Sequence, residues 1–270
     1  MRSVPALLTA AGAIFKRDFL LFKSYPTRPI SLLFTTVVSL TLFYYVSRLV
    51  HSPKVGSPDD YYGFVVVGLI IFGVLTSTLS TPVATLRAEL QAGTFERMVL
   101  SPFGAVRAIA SLLLFPVAQA FVLGTLSLAF AGVVFGLEVR WPETLLAVPV
   151  ALLGALAFAP FGLLMAAAVV LVKQTNAGAT FVITGVTLLA GVYFPVSLLP
   201  DWISWASDVQ PFTPAVDLLR HLLVGTALRD SAGVELAKLV GFTLVTVPAS
   251  LLVLRGAVVR SRRRGTIIEY

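Results

Sequence analysis

The chain reads as an all-α polytopic membrane protein. The expected parts are six transmembrane helices, an N-terminal amphipathic interfacial helix, a short cytoplasmic helix between spans two and three, and re-entrant short helices between spans five and six. Three observations predict this class. Of 270 residues, 57% are hydrophobic and 12% charged, with a mean hydropathy of +0.94, which a soluble domain with a polar surface does not tolerate. Several apolar runs exceed the roughly 18 uncharged residues that mark a spanning helix. The basic residues also divide unevenly between the two sets of loops those runs define.

From Pro5 to Phe22, Leu7, Leu8, Ala11, Ile14, Phe15, Phe19 and Phe22 recur at helical spacing with the charges between them. That pattern predicts a helix lying in the membrane interface, with a disordered basic leader as the alternative. The mixture of Lys16, Arg17, Asp18 and Lys23 into residues 1–28 is unlike a cleavable signal peptide. Pro26 and Pro29 break the helix. The first span then covers about Ile30–Val50, with Arg48 able to snorkel.

His51 to Asp60 is a short polar loop, and the second span covers about Tyr61–Leu86. Its hydroxyl-rich middle, Thr76 to Pro82, has two readings: side chains bonded back to their own helix around a proline, or the lining of a polar pathway. Arg87 and Glu89 mark the membrane exit. Gly93 to Pro102 follows as a turn or two of amphiphilic helix. Gly93 permits an unusual backbone, Thr94 can cap the first-turn amides, and Glu96 suits the positive helix end. Pro102 stops the helix. Phe95, Met98 and Val99 share one side and Glu96 and Arg97 another, so this short helix must be held by something it packs on.

A third apolar run, about Ala105–Leu137, contains Pro116. At 1.5 Å per residue it reaches about 45 Å, so it must tilt, kink or project. After the turn Glu138–Glu143 come a fourth run, Thr144–Val172, with Pro149 and Pro160, and a fifth, about Ala177–Leu199. Pro200–Lys238 is too polar to span. Trp202 and Trp205 lie three apart, as in an interfacial helix. Asp217, Arg220 and His221 fall together opposite Leu218, Leu219, Leu222 and Leu223, so this connector is expected to dip into the membrane surface as short helices. The sixth span covers about Leu239–Leu254, and Arg255–Tyr270 is a basic tail.

Six spans put both termini on one face. That face collects fourteen of the twenty Lys and Arg residues: those of the N-terminus, the Arg87–Arg107 loop, Lys173 and the tail. Arg48, Lys54, Arg140, Arg220, Arg229 and Lys238 remain opposite. The excess predicts cytoplasmic termini. The tail is then a contact with anionic lipid, and the net charge of +7 implies no nucleic-acid role.

No span carries an aspartate or glutamate at its centre, which argues against an ion-coupled secondary carrier. Cysteine is absent, the histidines His51 and His221 lie in connectors, and no metalloprotease or serine-hydrolase motif occurs, so no catalytic or metal-ligating set is expected. The phosphate-binding signature G-x-x-x-x-G-K-[ST] is missing too. A helix between spans two and three is therefore a plausible place for a separate energy-supplying subunit to push.

Three local patterns, in order, resemble the ABC-2-type permeases, the membrane subunits of ATP-binding-cassette exporters. Gly93-Thr94-Phe95-Glu96 through Ser101-Pro102 is similar to that family's coupling segment. Gly191-Val192-Tyr193-Phe194-Pro195 with Leu199-Pro200 is similar to its fifth-span end. Pro211-Phe212-Thr213-Pro214 through Arg220, with Gly225, is similar to its motif before span six.

The resemblance implies one permease domain over 1–270, made of an interfacial helix 1–28, a bundle 30–254 and a cytoplasmic tail 255–270. It also implies multi-pass residence in the cell membrane, a second permease chain as in a homodimer, and two P-loop ATPase subunits that hold the ATP and Mg. The coupling set would be Gly93, Thr94, Phe95, Glu96, Arg97, Met98, Ser101 and Pro102. Substrate would pass along spans one, two and five, where Phe43, Tyr44, Tyr45, Thr76, Thr78, Tyr193 and Phe194 are the candidate lining. Trp202, Trp205, Asp217 and Arg220 belong to the re-entrant connector. Polysaccharide-exporting members carry a Leu-Trp stretch entering span one, but here the segment reads Ser31-Leu32-Leu33-Phe34. That departure favours the drug-, antibiotic- or lipid-type branch, with polysaccharide export as an alternative.

Overall fold

The computed structural model describes residues 4–49, 56–172 and 176–263. His51, Lys54, Lys173 and the tail residues Arg264 and Glu269 lie outside the described residues. Helix α1 (Val4–Ser24) fills the expected amphipathic segment, and helix replaces the alternative of a disordered leader. Its Phe15 and Phe22 rings lie 5.8 and 5.5 Å from that of Phe115, so part of the apolar face packs on the bundle, while Leu8 and Phe19 stay exposed. The chain turns at Tyr25-Pro26, and α2 (Thr27–Leu49) begins slightly ahead of Ile30. Pro29 sits in its first turn, where a missing N–H breaks no helix bond.

Helix α3 (Pro58–Gln91) is the longest, with 34 residues. Ser57 and Asp60 cap it reciprocally: the Ser57 hydroxyl accepts from the Asp60 amide at 3.2 Å, and the Asp60 carboxylate accepts from the Ser57 amide at 2.9 Å. Pro82 inside α3 has no N–H to give the Thr78 carbonyl. Gly162 of α7 (Thr144–Val172) lies against that carbonyl, so closely that an added Cβ would run into it. A proline on one helix and a glycine on the next thus fix where α3 and α7 touch.

The third apolar run is not one helix. It is interrupted at Leu112–Leu113 between α5 (Ala105–Ser111) and α6 (Leu114–Phe135). Pro116 is the cause: it lacks the N–H that would bond the Leu112 carbonyl, and its ring crowds that oxygen. By contrast α7 runs through Pro149 and Pro160 and keeps the predicted limits.

The fifth run differs most from the sequence expectation. Helix α8 (Asn176–Leu189) has 14 residues, about 21 Å, short of the ~30 Å hydrocarbon core. It does not continue to Leu199, because Gly191 at φ +67° turns the chain; a Cβ there would lie 2.7 Å from Val196 Cγ2. A single turn of 3-10 helix follows at Val196–Leu198. Apolar counting cannot see such a reversal. Among the described residues five helical stretches are long and apolar enough to cross a membrane: α2, α3, α5 with α6, α7 and α11 (Ala232–Arg263). Helix α11 extends the sixth run at both ends, so the expected tail is helical as far as Arg263.

Helices α9 (Asp201–Asp208) and α10 (Phe212–Val224) form the connector. Trp202 and Trp205 project outward from α9, 75% and 63% exposed. Helix α10 is corrected more deeply, because it does not rest on a surface with a polar face outward. It packs between α3, α7 and α11, and Arg220 is only 2% exposed. The Arg220 guanidinium lies 3.3 Å over the Phe64 ring and donates to the Phe64 carbonyl at 3.0 Å and the Val192 carbonyl at 2.9 Å. The backbone freed where α8 ends is thereby satisfied from α10, and Tyr61 adds a bond to the Tyr193 carbonyl at 3.2 Å.

Two main apolar clusters result. One, at the α10 end, gathers Val67, Ile71, Phe158, Phe212 and Val216. The other, at the α4 end, gathers Leu86, Leu90, Ile109, Val169, Leu254 and Val258 around α4 (Phe95–Leu100). The most extensive helix pair is α7 with α11, followed by α3 with α7.

The close approaches give a direct test. A Cβ on Gly68 would run into the Val192 carbonyl and lie 2.8 Å from Arg220 Nη2, whereas one on Gly73 meets nothing within 4 Å. Gly68→Ala and Gly162→Ala should each destabilise the purified protein by about 1–3 kcal/mol, read as a lowered thermal midpoint in tryptophan fluorescence. Gly73→Ala should match or exceed the native midpoint.

Candidate functional site

The first polar constellation lies where α3 gives way to α4. Gly93, at φ +69°, makes the turn. Thr94 does not cap the α4 amides as its position suggested: it has helical dihedrals and no side-chain cap bond. Its hydroxyl points back to α3, donating to the Glu89 carbonyl at 3.2 Å and to the Glu89 carboxylate. The other Glu89 oxygen accepts from Arg17 of α1 at 2.7 Å. One carboxylate therefore joins α1, α3 and α4. Arg17 also pairs with Asp18 at 2.9 Å. Burial raises the Asp18 carboxyl above its ordinary range, against the pull of Arg17.

What holds α4 is this chain's own core. Phe95, 2% exposed, and Val99 are buried in the α4-end cluster, and Met98 packs at its edge. Phe95 is thus an anchor, out of reach of an external partner. Glu96, Arg97 and Leu100 face outward. Ser101 ends the helix with extended backbone ahead of Pro102, and its hydroxyl accepts from the Phe103 amide at 3.1 Å.

The second constellation is a cavity of about 290 Å³ between α2, α3 and α6, closed on one side by Tyr193. Thr35, Thr36, Ser39 and Phe43 of α2, Phe72, Thr76 and Ser77 of α3, and Ser127 of α6 line it, and no lining residue is charged. Thr76 donates back to the Phe72 and Gly73 carbonyls at 3.0 and 3.1 Å, and Ser127 to Leu123 at 2.7 Å. Their oxygens stay available as acceptors. The Phe43 ring is stacked on Tyr193 with centroids 5.7 Å apart.

The structure brings three predicted lining residues together here: Phe43, Thr76 and Tyr193. The others stand elsewhere. Thr78 is fully buried and bonds back to Val74 and Leu75 at 2.9 and 3.0 Å. Tyr44 belongs to an aromatic cluster with Tyr62 and Phe135. Tyr45 is 64% exposed on the outer side of α2, and Phe194 is half-buried outside this lining. Sequence reading passed over Thr35, Thr36 and Ser39, although hydroxyls at i and i+3 or i+4 in an apolar helix mark one face. It also passed over the Arg17–Glu89 pair, whose members lie 72 positions apart.

At the α10 end a wider, open cavity of about 830 Å³ is lined by Asp59, Asp60, Glu138, Arg140, Tyr62 and Gly225 among others. On α10 Asp217 is half-buried, and the loss of hydration raises its carboxyl while Arg220 and Arg229 pull it down. Among the described residues no three His, Cys, Asp or Glu side chains converge as a metal would require.

A sequence model of the ABC-2 type transporter family matches residues 9–224. Two curated relatives, each called Nodulation protein J, are similar to part of the chain. The one from Rhizobium leguminosarum bv. trifolii is 33% identical over 91 residues, 34% of this chain and 35% of that protein. The one from Rhizobium meliloti (strain 1021) is 28% identical over 116 residues, 43% of this chain and 44% of that protein. The chain thus spans less than half the length of the curated relatives it matches.

Because the native sequence has no cysteine, single replacements report the cavity without background. Thr76→Cys should react with a small membrane-permeant maleimide in the native fold, and Thr78→Cys only after denaturation. Equal labelling of both would remove the distinction between lining and packing.

Proposed function

The chain belongs to the ABC-2 type transporter family, and on that premise we propose that it is the permease subunit of an ATP-binding-cassette exporter for an amphipathic or lipid-like substrate. The observation that carries the substrate reading is the 290 Å³ cavity of hydroxyls and stacked aromatics without a charged side chain. Such a lining accommodates apolar surface together with an uncharged, hydrogen-bonding head. A glycolipid, an antibiotic or a neutral drug fits that description; a multiply charged solute finds no counter-ion there. The hydroxyls and the Phe43–Tyr193 stack also suit a sugar chain, so polysaccharide export is the second reading.

The working unit would contain two such permeases, in the simplest case a homodimer, and two P-loop ATPase subunits carrying ATP and Mg. Two features support assembly. Helix α2 is buried by the rest of the chain over only 11% of its most apolar window, leaving most of its surface for lipid or a second permease. Helix α4 keeps Glu96, Arg97 and Leu100 outward while Phe95 and Val99 hold it. We place that face against the ATPase, in a bacterial-type inner or plasma membrane with both termini cytoplasmic, as the charge asymmetry favours. The outward indoles of Trp202 and Trp205 would sit at the opposite headgroup level.

The test is ATP hydrolysis by the reconstituted permease–ATPase complex, titrated with a lipid-linked neutral oligosaccharide and with the same oligosaccharide lacking its lipid. The lipid-linked form should stimulate. Phe43→Ala and Tyr193→Ala should each raise its half-stimulating concentration about 2- to 10-fold, as expected for losing about 0.5–1.5 kcal/mol of aromatic contact. Stimulation by the lipid-free chain alone would favour polysaccharide export. Substrate movement driven by an ion gradient with no ATPase present would overturn the exporter reading altogether.

A further inference from the structure

Helix α4 is clasped at both ends. At its start the Glu89 carboxylate ties it to α3 and α1. At its finish the Val99 carbonyl accepts a hydrogen bond of 2.9 Å from Arg262 Nη2, at the far end of α11 and 163 positions later. The last carbonyls of a helix have no donor of their own, and its negative end favours a cation. In a helix of six residues such a bond weighs heavily, because too few internal bonds exist to hold the shape. Leu254 and Val258 stand two turns and one turn before Arg262 on the same face of α11, and both join Phe95 and Val99 in one apolar cluster.

We propose that Arg262 is a positioning residue that makes α4 and α11 move as one body. A displacement imposed on Glu96, Arg97 and Leu100 then enters α11 and, through the largest helix pair of the bundle, α7. The inference rests on the reading of α4 as the ATPase contact. At the basic end of α11 Arg260, Arg262 and Arg263 are all exposed, and it is the Arg262 guanidinium that reaches back to the backbone of α4.

The experiment uses the permease–ATPase complex in nanodiscs, with spin labels at Arg97→Cys on α4 and Val259→Cys on α11. In the native background the α4–α11 distance should be single and narrow, and the same without nucleotide and with ATP and vanadate. Arg262→Ala should lose that constancy, giving a broad distribution that shifts with nucleotide. Arg262→Lys, which keeps a cationic donor, should largely restore it, and Arg263→Ala should behave as native. A native distance that shifts with nucleotide, or an Arg262→Ala complex indistinguishable from native, overturns the proposal. The underlying reading is checked separately by crosslinking Leu100→Cys to the ATPase. Absence of any crosslink overturns that reading and this proposal with it, whereas a crosslink combined with a mobile α4–α11 distance overturns this proposal alone.

Discussion

Inside a bilayer a backbone carbonyl that leaves its helix has no water to turn to, and each such group left unpaired costs several kcal/mol. The bundle is arranged around the places where this happens. Helix α8 ends at Gly191, and the carbonyl exposed just beyond it, at Val192, is met by Arg220. Pro82 frees the Thr78 carbonyl, and the bare backbone of Gly162 comes close enough to cover it. Outside the hydrocarbon the short helix α4 has few internal bonds, and its Val99 carbonyl is likewise met by Arg262. In two of these cases an arginine far along the chain supplies the donor, and in the third a glycine allows close backbone approach, so each irregularity marks where two distant elements meet.

The same logic separates the two ends of α3. At one end Arg220 stacks on Phe64, and Tyr44, Tyr62 and Phe135 form an aromatic cluster beside the open cavity. At the other end a carboxylate shared by Arg17 and Thr94 joins three elements through bonds that are only partly buried. Partly buried polar ties are weaker and easier to remake than apolar packing. On the proposed reading of α4 as the ATPase contact, a load received there would enter α11 and pass to α7, its most extensive partner. The charge-free cavity lies apart from α7 and α11, between α2, α3 and α6.

Much of this was legible in the sequence. Hydropathy placed α2, α3 and α7 within a few residues and found the apolar middle of α11 but not its polar ends, because burial in lipid demands long apolar runs and little else. The pattern of Phe95, Met98 and Val99 gave the correct inner face of α4. What escaped were features set by contacts distant in sequence. Gly191 reads as one more small residue in an apolar run until the chain is seen to turn there. Arg220 looked like part of an exposed polar stripe, because helical spacing reports which residues share a face but not what that face meets. Thr94 carries a capping residue's chemistry, yet its hydroxyl turns back to Glu89, five positions earlier. The cavity was half-visible: Thr76 and Tyr193 were singled out, while the hydroxyls of α2 were passed over because each is unremarkable alone.

The burial of Arg220 also constrains how the chain reaches its final state during synthesis. Helix α10 touches α3 and α7, already made, and α11, still to come, while its arginine reaches back 156 positions to Phe64. Until the last helix is in the membrane, α10 lacks one of its walls and Arg220 lacks a closed, dry site. The enclosure of α10 is thus complete only once α11 is in place, as an arch closes around its keystone.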